Sequence, residues 1–255
     1  YQWNTTVERE IGFGSVLSVA YVGRVGLNME RERNINQPAV GTLLRPENKG
    51  INANVLRPFK GFSFINLGET AARSTYHGLQ IELNRRFAKG FSYGFAYTYS
   101  KSMDNASGRR ERLYDNYDAT NYWGPSSFDT RHIAVINFVY QLPFFRSSTG
   151  LKKSLLAGWQ VTGVTQFQTG TPSTVGTGDD FAGIGTSDTQ PWEILGDPKL
   201  DRSERKFSQG AADSNFWFRT KLPDGTALFV TPQPGTFSKT QTKNLIYSTG
   251  FQNWN

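Results

Sequence analysis

The chain has 255 residues, no cysteine and a formal net charge of +7. This length suits one large all-β domain, and the lack of cysteine excludes disulfides and thiolate metal sites. The basic residues are scattered and many have acidic neighbours, as in residues 30–33. The charge is therefore typical of a solvated surface, and no nucleic-acid partner is predicted.

The sequence has no run of about 18 apolar residues, so no transmembrane helix is predicted. A membrane barrel is not excluded, because its strands alternate and never form such a run. The first ten residues have neither a basic start nor an apolar core, so no signal peptide is predicted there. Since they alternate like a strand, we expect the chain to be a fragment of a longer protein.

Period-2 alternation predicts seven strands, because successive side chains of a strand point to opposite faces. The most regular pair is a hairpin around Ala88–Gly90, where a late glycine predicts a tight three-residue turn. Residues 151–158 are expected to form one helical turn at most. The strands are predicted, in chain order, near 2–9, 15–24, 74–87, 91–104, 128–142, 158–170 and 244–255.

The connections between these strands alternate in length. Short or modest ones are expected at 10–14, 88–90 and 143–157, and long ones at 25–73, 106–127 and 172–243. Alternate connections of an up-and-down sheet share an end, so all the long loops are predicted at one end. Outer-membrane barrels show this asymmetry.

The two faces of the predicted hairpin differ in chemistry. In the run 91–100, aromatic side chains occupy one face and Ser, Gly, Ala and Thr occupy the other. A water-exposed strand face usually carries Lys, Glu and Arg instead. The pattern favours an all-β, antiparallel, up-and-down transmembrane β-barrel segment with short turns at one end and long loops at the other. A soluble or surface-attached β-rich module that binds glycan or peptide is the alternative.

A set of segments carries a more specific signal. They are YQWN with the following Val and Arg-Glu at 1–10, VLSVAYVGRVG at 16–26, RNINQP at 33–38, the hairpin 74–105, SSFDTRHIAVINFVYQLPF at 126–144, LLAGWQVTGVTQFQTGTP at 155–172, and 235–255. In this order they resemble the barrel of the Oar-like TonB-dependent outer-membrane receptors.

The resemblance implies a bacterial outer-membrane location with long loops outside the cell and lipid around the barrel. It implies a plug and N-terminal parts that contact a TonB-type energy-transducing protein, and these parts are not found in this sequence. We therefore expect residues 1–255 to be a partial barrel with no complete second domain. The implied function is capture of a substrate, whose identity is unknown, by external loops and its passage through the lumen.

Two groups of residues are candidates for binding. Aromatic rings beside carboxylates in the loop after 105 suit capture of a peptide or saccharide, with a self-packed outer loop as the alternative. This group is Tyr114, Asp115, Tyr117, Asp118, Tyr122 and Trp123. Polar residues on one strand would line a channel or touch a plug if they face a lumen, and would form a solvated face otherwise. These are Gln80, Glu82, Asn84 and Arg86.

Metal, cofactor and enzyme sites have weak support. Asp179, Asp180 and Asp188 offer oxygen ligands for calcium, but their spacing does not match an EF-hand, and loop solvation is the alternative. Asp129 and His132 have no Ser or Cys nucleophile in a strained turn beside them, so they predict a hydrogen-bonded strand entry rather than catalysis. No metal, cofactor or enzymatic activity is predicted.

Overall fold

The computed structural model describes residues 1–144, 149–186, 188–201, 203–205 and 217–255. Within these residues the α-helices are α1 (Ala53–Leu56) and α2 (Gly150–Leu156). The strands are β1 (Gln2–Gly12), β2 (Ser15–Asn34), β3 (Asn66–Ala88), β4 (Phe91–Asp104), β5 (Gly124–Pro125), β6 (His132–Gln141), β7 (Gln160–Gln168), β8 (Pro172–Ser173), β9 (Gly176–Thr177), β10 (Gln190–Pro191), β11 (Glu193–Ile194), β12 (Phe229–Val230), β13 (Ile246–Tyr247) and β14 (Phe251–Trp254).

One eight-stranded antiparallel sheet dominates the structure. Its order is β1-β2-β3-β4-β6-β7-β14, and the short β5 also pairs with β4. Because neighbours in the chain are neighbours in the sheet, the topology is an up-and-down meander, and the predicted all-β antiparallel class is confirmed. In the described part of the chain, no helix is long and apolar enough to cross a membrane.

Two tight turns close hairpins at one end of the sheet. The β1–β2 turn contains Phe13 and Gly14, with φ of 53° and 67°, and the β3–β4 turn contains Lys89 and Gly90, with φ of 53° and 81°. Two-residue hairpin loops of this type require positive φ at both positions. The predicted three-residue turn is therefore one residue too long, because Ala88 still pairs with Phe91.

The register separates apolar from polar side chains. Residues paired directly across neighbouring strands share a face. One such row is Leu17, Leu83, Phe95 and Ile136. The adjacent row, which points the other way, is Ser18, Glu82, Ala96 and Val135. The sheet thus has the apolar face and the polar face that the alternation predicts.

Strands β2 and β3 are longer than predicted, at 20 and 23 residues. A membrane crossing needs only about 9–11 residues, so both strands continue well past the apolar rows. The sequence predicted a long loop at 25–73, but both ends of that range are strand, and Arg31 and Arg33 form ion pairs with Glu69 across the two strands at 2.8 and 2.9 Å. Cross-strand pairing of opposite charges stabilises a solvated sheet.

Other boundaries also differ from the prediction. Strand β6 begins at His132 rather than 128, because Asp129 lies in a turn and donates its backbone N–H to the carbonyl of Ser126. The predicted last strand is split into β13 and β14. Helix α2 has seven residues, more than the single turn expected. The Nε1 of Trp159 donates to the carbonyl of Leu155 at 2.8 Å and satisfies one acceptor at the helix end.

The long connections all lie at the end opposite the tight turns. We call them L1 (35–65), L2 (105–131) and L3 (169–250). A buried apolar cluster forms within L3 from Ile194, Leu228, Phe229 and Ile246. The sheet itself has no second layer over its apolar rows in the described structure, so the loops rather than the strands contain this core.

Candidate functional site

The three long loops contact one another and form a single assembly. Arg57 of L1 donates to the carbonyl of Gly185 in L3 at 2.8 Å. Arg112 of L2 forms an ion pair with Asp188 of L3 at 3.0 Å. These contacts join segments that are far apart in sequence, so the loop end has a defined shape.

A buried ion cluster connects L3 to the end of β4. The Lys243 Nζ lies 2.6 Å from Asp104 Oδ1 and 2.7 Å from Glu111 Oε1. The side chains of Lys243 and Asp104 are only 3% and 2% exposed. Ser107 Oγ is 2.9 Å from the same Nζ, and the ring of Tyr122 lies 5.6 Å from it. Because burial of one ion without its partners is costly, these groups depend on each other.

A second buried carboxylate, Asp129, connects L2, β4 and L3. Its Oδ1 accepts from the backbone N–H of Ser102 at 2.6 Å, and its Oδ2 pairs with Arg131 at 2.9 Å. Tyr247 also donates its hydroxyl to Oδ2. Burial, followed by this hydrogen bond to the carboxylate, raises the pKa of Tyr247 from 10.0 to about 12. Asp129 is therefore a structural group at a strand entry.

Buried amides hold L1 together and connect L2 to β2. The Nδ2 of Asn36 is within 2.7–3.2 Å of three backbone carbonyls of L1, the shortest bond being to Ser63. Asn116 of L2 accepts from the backbone N–H of Asn34 at 2.7 Å. Buried polar groups need such partners. Here the amide of Asn36 donates to carbonyls of three different residues of L1 and so fixes the path of the loop.

The predicted ligand loop is largely self-packed. The rings of Tyr114 and Tyr122 contact each other at 5.0 Å, and Tyr114 also contacts Phe237 of L3 at 5.8 Å. Burial raises the pKa of Tyr114 to about 12 and raises that of Tyr122 as well. Tyr117 and Trp123 remain open, at 62% and 38% exposed. Only these two rings of the predicted group are available to a ligand.

The two carboxylates of this group serve the loop backbone. Asp115 Oδ1 accepts from the N–H of Tyr117 at 3.0 Å, and Asp118 Oδ1 accepts from the N–H of Thr120 at 2.8 Å. Burial raises the pKa of Asp115, whereas hydrogen bonds from Thr120 lower that of the exposed Asp118. Each forms a short Asx turn, which is a structural use of the side chain.

The three aspartates proposed for calcium do not converge. Asp180 accepts from the backbone N–H groups of Ile184 and Gly185 at 3.0 and 2.6 Å. Asp188 pairs with Arg112, and Asp179 bonds Thr177. Among the described residues, no group of three or more His, Asp or Glu side chains is arranged to hold a metal ion.

The residues predicted to face a lumen lie along the polar face. Gln80, Glu82 and Asn84 pair with Thr98, Ala96 and Gly94. Arg86 follows, within the irregularity between Arg85 and Ala88 near the tight turn. The structure thus places the first three on the face opposite the aromatic rows.

Aromatic rings gather on the apolar face near the loop end. His77 stacks on Tyr21 and accepts or donates a hydrogen bond with its hydroxyl at 2.7 Å. His132 does the same with Tyr97 at 2.8 Å and contacts Tyr99. His132 and Asp129 therefore have different hydrogen-bond partners and do not form a pair. Rings with polar tips favour the headgroup level of a membrane.

Sequence reasoning missed the Lys243 cluster and the buried amides. Lys243 and Asp104 are 139 positions apart, and nothing local distinguishes this lysine from other surface lysines. Asn34 and Asn36 lie in the polar run 33–38, which contributed to the family resemblance, but the sequence assigned these residues no structural role.

Similarity to a known protein family agrees with this architecture. The whole chain, residues 1–255, matches a family described as an outer membrane beta barrel domain. No curated protein and no solved structure matched. The family match favours a membrane barrel over the soluble binding module that the sequence left open.

Proposed function

The chain belongs to the outer membrane β-barrel domain family, and on this premise we propose that it forms part of the wall and the capturing loops of a TonB-dependent receptor of the Oar-like type. The loop assembly binds a substrate at the cell exterior. The substrate then passes along the polar face of the sheet, which lines the lumen. A TonB-type protein supplies the energy through parts of the receptor outside residues 1–255.

One observation carries this proposal. Long loops with buried ionic and amide contacts occupy one end of the sheet, and two two-residue turns and the β6–β7 connection with α2 occupy the other. A receptor needs a shaped surface only on the side where ligand arrives, and outer-membrane barrels have this asymmetry. Loops held by buried contacts are also preorganised, which lowers the entropic cost of binding.

Paired deletions test the transport function. Uptake of labelled peptides, oligosaccharides and metal chelates is compared in three strains: the parent, one lacking this protein and one lacking the energy-transducing partner. We expect the same class of compound to be lost in both deletion strains. Uptake that survives loss of the partner, or protein that leaves the membrane without detergent, would exclude a TonB-dependent receptor.

The ion pair between L2 and L3 tests whether the loops take part. The chain has no cysteine, so Arg112→Cys with Asp188→Cys allows a short bifunctional thiol reagent to join the loops selectively. If substrate entry requires L2 and L3 to separate, cross-linking lowers uptake. The single Arg112→Cys variant treated with the same reagent is the control, and equal uptake in both would show that these loops do not gate entry.

A further inference from the structure

A cavity of about 540 Å³ lies where β2, β3 and β4 meet the start of L2. Val22, Tyr76 and Ser102 lie on its wall, and Ser107 and Arg109 of L2 border it. In the strand register Val22 pairs with Gly78, two residues from Tyr76, so the wall belongs to the polar face. The volume is in the range typical of small-ligand sites, about 300–1,000 Å³.

Tyr76 forms a flat surface in this cavity. A Cβ built on Gly78 would lie only 2.6 Å from the Tyr76 hydroxyl oxygen and 3.0 Å from Cζ. The ring therefore lies along the strand over Gly78, with one side against the backbone and the other available to the cavity. Phe128 also borders the cavity and is 61% exposed. Flat apolar rings of this kind pack against the C–H faces of sugar rings.

Arg24 supplies a positive charge on the same wall. It is exposed, and within the described residues no hydrogen bond or ion pair engages its guanidinium. The neighbouring Arg109 is already paired with Glu30 at 3.0 Å. A free guanidinium presents a fork of N–H donors that matches a carboxylate.

The backbone around the cavity disfavours an extended peptide. Strand β3 is paired with β2 on one side and with β4 on the other at Ser74 and Tyr76, and β2 is paired with β1 as far as Arg24, so the N–H and C=O groups of this part of the wall are already used. Peptides that bind sheets rely on a free edge for main-chain hydrogen bonds. Here the polar side chains without a charged partner are hydroxyls, such as those of Ser74 and Tyr76, and the Arg24 guanidinium. The carboxylates of Glu30 and Asp104 also line the cavity, and they are paired with Arg109 and Lys243.

We propose that this cavity binds an acidic saccharide, with a pyranose ring on Tyr76 and its carboxylate on Arg24. The inference rests on the proposed function, because it takes the polar face as the path of a captured substrate. It names the substrate class as uronic-acid oligosaccharides.

Calorimetry on the purified full-length protein in detergent tests this site with trigalacturonate and a neutral trigalactoside of the same length. Arg24→Gln is expected to weaken trigalacturonate binding about tenfold or more, because a charge-assisted hydrogen bond is lost. It should leave the weaker neutral ligand unchanged, whereas Tyr76→Ser weakens both. Lys89→Gln, in the tight turn at the far end of β3, is the control that also removes one positive charge, and it should change neither.

Absence of trigalacturonate binding, or equal binding by the Arg24→Gln variant, would overturn the proposal. If a tripeptide with a free C-terminal carboxylate binds more tightly than trigalacturonate, with the same dependence on Arg24, the ligand class is peptide and the assignment to saccharides is wrong. Binding in detergent needs no energised partner, so binding without cellular uptake keeps the site and refutes transport. Uptake of a substrate that does not occupy the cavity would support transport and refute the proposed site.

Discussion

Arginine at Phe95 should destabilise the barrel strongly, because this side chain lies at mid-depth on the apolar face. Its partners are Leu83 on β3 and Ile136 on β6. It is four positions from Tyr99 at the loop end and four from Phe91 at the turn end. With a rise of about 3.4 Å per residue and a tilt near 45°, Phe95 is about 10 Å along the membrane normal from Tyr99 and from Phe91.

The magnitude follows from that depth. A lipid-facing arginine at the bilayer midplane costs roughly 2–4 kcal/mol, and the cost falls near the interfaces. This corresponds to a folding equilibrium weakened by about 30-fold to several hundred-fold. The matched control is Ala96→Arg, one residue away on the polar face. Ala96 is exposed and pairs with Glu82, so the new guanidinium gains a carboxylate neighbour.

The assay is urea unfolding of the full-length protein refolded into phospholipid vesicles, monitored by tryptophan fluorescence. Phe95→Arg should lower the unfolding free energy by the amount above, and Ala96→Arg should change it little. Equal losses at the two positions, or a larger loss at Ala96, would show that the assignment of lipid and lumen faces is wrong.

Three further predictions concern the loop end. Lys243→Met leaves Asp104 buried without its cation, so it should lower the free energy of unfolding by about 3–5 kcal/mol and speed proteolysis of L3. Adding Asp104→Asn should restore part of this stability. If it restores none, Lys243 and Asp104 are not coupled. Because the folded state raises the pKa of Tyr247 from 10.0 to about 12, its contribution to stability is complete below pH 10 and is lost as the pH rises towards 12. Tyrosinate absorbance together with loop proteolysis should follow this window, and an unchanged profile in Tyr247→Phe would refute the role. In intact cells, an impermeant maleimide should label Tyr117→Cys and not Lys89→Cys, and the opposite pattern would invert the proposed orientation.

The two exposed rings in L2 show what residue type alone can and cannot separate. Tyr117 and Trp123 were predicted as ligand contacts with four neighbours, and they are open in the structure. Tyr114 and Tyr122 instead pack internally. Residue type alone does not separate these cases, because exposure depends on L3, which places Phe237 against Tyr114.

The period-2 pattern by itself determined where the main strands lie, their two faces and the end at which each loop lies, but it did not determine every strand boundary, since β2 and β3 extend beyond the alternating runs. Strand side chains alternate for local steric reasons, so no distant contact is needed to read them. The turns at Phe13–Gly14 and Lys89–Gly90 are local in the same sense, since positive φ is a property of single residues.

Only the tertiary structure decided which loop residues meet. Lys243 and Asp104, Arg57 and Gly185, and Tyr247 and Asp129 are each more than a hundred positions apart. Irregular loops have no period that fixes their contacts, and whether an ionisable side chain there is solvated or buried depends on what other loops place beside it. The Lys243 cluster and the Tyr76 cavity arise from that packing, which no local pattern encodes.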